Sequence, residues 1–129
     1  SRLMSEMGKV AMEARDCLRD GKGFLLPGLL RKNRALLRQF EGSLSGGVEL
    51  ETVSLRRIVE SAQSFDVSTS AGSENPIVGS KFSGAGGGDC AIAVVFGNSP
   101  DQTDFISKQI LDSWISQGFR PLEDIQVVQ

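Results

Sequence analysis

The stretch Ile77–Phe96, IVGSKFSGAGGGDCAIAVVF, changes character twice within twenty residues. Ile77 to Phe82 and the nearly continuous apolar run Cys90 to Phe96 each have the length and composition of a buried strand. Between them, Gly84, Ala85, Gly86, Gly87 and Gly88 carry no side chain larger than a methyl. A backbone this bare enters positive φ freely and can turn successive N–H groups toward one point, which makes an anion nest. Lys81 and Ser83 stand before the run and Asp89 closes it, so a cation, a hydroxyl and a carboxylate flank the place where a phosphate would sit. The same pattern is also that of a hairpin whose glycines only relieve turn strain. The residues alone leave both readings open.

Two familiar phosphate motifs are excluded. A Walker loop ends in Gly-Lys-Ser/Thr, whereas Gly88 is followed by Asp89. A dinucleotide fingerprint can be laid on Gly86, Gly88 and Ala91, but that motif opens a helix, and these residues lead into an apolar strand.

Working outward, Leu3, Met7, Val10, Ala14 and Leu18 recur at spacings of three and four and predict a helix ending near Asp20-Gly21-Lys22-Gly23. A helix starting this close to residue 1 is expected of a segment taken from a longer polypeptide. From Gly28 to Phe40, Leu29, Leu30, Ala35, Leu36, Leu37 and Phe40 interleave with Arg31, Lys32, Arg34 and Arg38, predicting a second helix with a basic outer face, either simply solvated or able to meet a phosphate. A Gly-Ser linker over 41–47 precedes a third helix marked by Thr52, Leu55, Ile58, Val59 and Ala62, with its stop near Phe65. Ser68 to Asn75 reads as an exposed loop. After the second strand, Ser99-Pro100-Asp101-Gln102 supplies an N-cap, a proline at the first helical position and a capping-box glutamine, and Gly118 a stop. Ile125 to Gln129 reads as a last strand. The order predicts an α+β domain with helices packed on a small antiparallel sheet.

Composition fits one domain: 129 residues suffice for a single core, 40% are hydrophobic and 23% charged. Fourteen basic and sixteen acidic residues give a net charge of −2 with no global basic field, which argues against nucleic acid as a partner. No apolar run approaches the roughly 20 residues of a membrane span, so no membrane partner and a cytoplasmic location are expected. Cys17 and Cys90 are read as reduced thiols, since two cysteines form no disulfide framework. Without histidine, the chain lacks the commonest general base and any Ser-His or Cys-His pair, and no metal site is expected in it.

The segment Gly79-Ser80-Lys81-Phe82-Ser83-Gly84-Ala85-Gly86-Gly87-Gly88-Asp89-Cys90-Ala91-Ile92-Ala93 closely resembles the third motif of the GHMP kinases, the family of galactokinase, homoserine kinase, mevalonate kinase and phosphomevalonate kinase. Asp89, where mevalonate kinases more often carry glycine, makes the string look most like the bacterial-type phosphomevalonate kinases. Arg31-Lys32-Asn33-Arg34-Ala35-Leu36-Leu37 and Glu51-Thr52-Val53-Ser54-Leu55 are similar to the helices that precede the loop there. The resemblance covers about residues 25 to 97. It departs from the family at Asp66 to Pro76, which is longer and richer in serine than the usual Gly-Ala-rich link.

The resemblance implies a ferredoxin-like C-terminal domain, here residues 1–129, whose glycine loop contacts a phosphorylated small-molecule substrate. ATP and Mg2+ would be held mainly by an N-terminal kinase domain bearing a Pro-x-x-x-Gly-Leu-Gly-Ser-Ser-Ala-like motif, which does not occur in these residues. Lys81, Ser83, Gly84, Ala85, Gly86, Gly87, Gly88 and Asp89 are the substrate or phosphate contacts so implied, with Arg31 and Arg34 as further phosphate donors. Transfer of the ATP γ-phosphate to phosphomevalonate, in isoprenoid biosynthesis, is the activity expected of the parent enzyme. Another GHMP kinase, or a non-catalytic ferredoxin-like module binding an anionic metabolite, are the alternatives.

Overall fold

The computed structural model describes residues 2–44, 46, 47, 49–68, 75–82 and 90–121. In chain order these form α1 (Arg2–Arg19), a 3-10 turn (Gly23–Leu25), α2 (Leu26–Ser43), α3 (Val53–Ser64), β1 (Val78–Phe82), β2 (Ala91–Val95) and α4 (Pro100–Ser116). The expected strand at Ile125–Gln129 lies outside the described residues. So do Ser83 to Asp89.

The described fold is α+β, with four helices and a two-stranded antiparallel sheet. Val78 pairs with Val95 and Phe82 with Ala91, so the two strands expected on either side of the glycines are antiparallel neighbours. Strand side chains alternate between faces, and Val78 and Phe82 point into the core. There Val78 packs with Ala62, Ile106 and Ile110, and Phe82 packs with Leu55 and Ile58. Helices α3 and α4 therefore share one face of the sheet. Trp114 touches both clusters and donates its indole N–H to the Ile58 carbonyl at 2.9 Å, tying α4 to α3.

Helix α2 lies against β1 from the other direction. A Cβ on Gly79 would fall 2.1 Å from the Pro27 carbonyl oxygen, so only a glycine permits this approach. Helix α1 packs on α2, with Val10 and Cys17 buried and Leu3, Met7 and Ala14 half-buried; Leu18, expected on that stripe, is exposed. Among the described residues no helix is long and apolar enough to cross a membrane.

Capping sets the helix starts. Thr52 and Ser99 accept the N–H groups of Leu55 and Gln102, three residues on in each case. Gln102 departs from a strict capping box, because its side chain accepts from Asn98 N–H, one residue before the cap. Ser99→Ala should lower unfolding stability by about 1 kcal/mol in urea titrations; no change would mean that Pro100 alone sets the start. Helix α2 begins at Leu26, two residues before the expected Gly28, because Pro27 occupies its first turn.

Candidate functional site

The site is built around the hairpin arms. β1 carries Lys81 one residue before its end at Phe82, and Ala91 opens β2 opposite Phe82, so the segment between them is anchored at both ends by paired backbone. Lys81 Nζ donates to Asn33 Oδ1 of α2 at 2.6 Å. Burial pushes the ammonium below its ordinary value. Among the described residues no carboxylate lies within ion-pair distance of it. A half-buried cation with a neutral hydrogen-bond partner keeps its charge available to an incoming anion.

Arg31 and Arg34 are placed differently. The outer-face expectation fails for both. Arg31 donates Nε to the Val78 carbonyl at 2.8 Å and Nη2 to Asp66 Oδ2 at 2.9 Å. Arg34 forms a two-pronged pair with Glu51, Nε to Oε2 at 2.8 Å and Nη2 to Oε1 at 2.9 Å. The Glu51 side chain is fully buried. Its burial pushes the carboxyl up, but the hydrogen bonds and charge of Arg34, with Arg38 and Arg56, overcome this and hold it below the ordinary value. Both guanidiniums thus serve internal carboxylates.

Asp66 organises the approach to Lys81. Its side chain is 2% exposed, and its Oδ2 accepts the N–H groups of Ile77 and Val78, both at 2.9 Å, as well as Arg31. Its Oδ1 accepts from Ser68 N–H at 2.8 Å. Burial raises this carboxyl and these donors lower it further, leaving it below its ordinary value. Asp66 is therefore tied to the backbone at the start of β1. Glu41 is tied in the same way ahead of α3, its Oε2 accepting from Leu50 and Glu51 N–H.

Ser83, Gly84, Ala85, Gly86, Gly87, Gly88 and Asp89 lie outside the described residues, so the structure brings together only the frame of the expected site: Lys81, its partner Asn33 and the two strand ends. Asn33, Asp66, Glu51 and Gly79 were not singled out by sequence reasoning. For Gly79 a signal existed, an isolated glycine inside a strand pattern, which marks close backbone approach.

The chain matches no protein-family model, no curated protein and no solved structure.

Proposed function

We propose that this chain is the substrate-side, C-terminal domain of a GHMP-type small-molecule kinase, with phosphomevalonate as the substrate of the parent enzyme. The observation that carries the reading is the motif from Gly79 to Ala93 seated on an antiparallel hairpin, with Lys81 at the loop's entry and lacking a carboxylate partner among the described residues. Phosphoryl transfer depends mainly on positioning and on stabilising charge on the transferred group. Convergent loop amides and one cation are what a substrate-side half contributes to that.

In this reading ATP and magnesium belong to the N-terminal domain. The ferredoxin-like arrangement is part of the same proposal, since it needs more strands than the two described. Arg31 and Arg34 are assigned here to holding the frame, and Lys81 to the anion.

A coupled ADP-release assay on the isolated chain with phosphomevalonate and Mg-ATP should give no turnover, while the chain still binds phosphomevalonate. Robust turnover would contradict the division of labour. Absence of any binding would contradict the substrate-side assignment itself.

A further inference from the structure

Alternation along the two strands sorts their side chains onto two faces. Val78 and Phe82 turn toward α3 and α4, so Gly79 and Lys81 turn to the opposite face, the one against which α2 lies. The register pairs Gly79 with Val94 and Lys81 with Ile92, which puts Val94 and Ile92 on that same face as their direct cross-strand neighbours.

Helix α2 covers this face unevenly. Over β1 the fit is close: the Pro27 carbonyl takes the space of a Cβ on Gly79, and Asn33 Oδ1 accepts from Lys81 Nζ at 2.6 Å. Over β2 the cover falls short, and Ile92 is 42% exposed while Val94 is half-buried. Because its ammonium is held on α2, the stem of Lys81 leads toward the helix and leaves Ile92 open. A half-buried cation and an open aliphatic side chain therefore stand side by side on one rung of the ladder, with Cβ atoms about 5 Å apart. Val94 continues the apolar wall about 7 Å further along β2.

An isolated exposed isoleucine is ordinary, and a lone lysine accepts any anion. Side by side they favour an anion that carries a hydrocarbon body. We propose that Ile92 is a specificity-determining residue of the Lys81 site, giving it a preference for phosphate monoesters with an aliphatic body. The proposal rests on the assignment of Lys81 to an anion and deepens it by naming the class of body attached. Phosphomevalonate belongs to that class. A sugar phosphate does not, because its hydroxyls would lose water against Ile92 and Val94 without gaining hydrogen-bond partners there.

Titration of the full 129-residue chain, followed by amide NMR shifts, tests this with inorganic phosphate, n-butyl phosphate and ribose 5-phosphate. Butyl phosphate should bind about tenfold more tightly than phosphate, as burial of roughly two methylene groups gives, and ribose 5-phosphate should gain nothing. Ile92→Thr, which keeps the branched Cβ that suits a strand, should remove the butyl preference and leave phosphate affinity within about twofold. Lys81→Met should weaken both ligands about tenfold or more. Equal affinity for phosphate and butyl phosphate, no binding of either, an equal gain for ribose 5-phosphate, or a butyl preference that survives Ile92→Thr overturns the proposal. Should Ile92→Thr unfold the chain, NOEs from the butyl methyl to the Ile92 methyls in the unchanged chain decide: their presence supports the proposal and their absence overturns it. A fourth titration separates this inference from the kinase reading. A butyl preference without phosphomevalonate binding would sink the kinase reading and keep the subsite, whereas phosphomevalonate binding unaffected by Ile92→Thr would do the reverse.

Discussion

Glu51→Gln is expected to lower unfolding stability by about 3–5 kcal/mol, the cost typical of stranding one partner of a buried ion pair. Glu51 is fully buried and takes both prongs of Arg34, and Arg56 Nε lies 3.6 Å away with no hydrogen-bond partner of its own. The amide keeps the shape of the carboxylate and removes its charge, so the buried Arg34 is left with only Glu60 at 3.7 Å, and the partly exposed Arg56 loses its nearest carboxylate. Replacing Arg34 and Glu51 together by methionine and leucine should recover much of the loss, because apolar substitutes of similar volume do not leave an uncompensated charge. Urea unfolding of the three variants measures both effects. A loss under about 1 kcal/mol for Glu51→Gln would mean that the pair behaves as an exposed one.

The same carboxylates set the acid limit. Glu51 and Asp66 both sit below their ordinary values in the folded chain. A depressed folded value means that the unfolded state binds protons more readily, so the stabilisation is complete above the ordinary carboxylate range, about pH 4, and is lost as pH falls through the folded values. Thermal midpoints should be flat near neutrality and fall steeply below about pH 4, less steeply in Glu51→Gln.

Gly79→Ala is the second large effect. The added Cβ would lie 2.1 Å from the Pro27 carbonyl oxygen and 2.8 Å from its carbonyl carbon and Cα, all backbone atoms. Side-chain rotation cannot relieve such a contact, so β1 and α2 must separate. Overpacking ordinarily costs about 1–3 kcal/mol, and a clash of backbone on both sides belongs at or above the top of that range. Separation would also carry Asn33 away from Lys81, so the variant should lose anion affinity along with stability. A Gly79→Ala chain as stable as the parent would show that α2 does not pack on β1 this closely.

Periodicity and capping exposed most of this fold. The four helices follow from apolar spacing, and the start of α4 was announced by the Ser99 side chain, whereas the start of α2 at Leu26 fell two residues before the expected Gly28. The hairpin followed from two apolar runs flanking glycines. What periodicity could not show were the partners of the buried charges. Arg31 meets Asp66 across 35 residues and Arg34 meets Glu51 across 17, and nothing local distinguishes those arginines from the solvated cations beside them. The candidate site was legible as a motif, from the order of Lys81, the glycines and Asp89. Its neutral anchor, Asn33, was not, because one asparagine on a helix carries no pattern.

The most direct test of the substrate-side assignment is a calorimetric titration of the chain with phosphomevalonate and, separately, mevalonate, repeated on Lys81→Met. Preferential binding of phosphomevalonate is expected, weakened about tenfold or more when Lys81 is lost, the effect of removing one charged hydrogen bond of roughly 1.5–3 kcal/mol. Binding of mevalonate but not of its phosphate, or phosphomevalonate affinity unchanged in Lys81→Met, would contradict it.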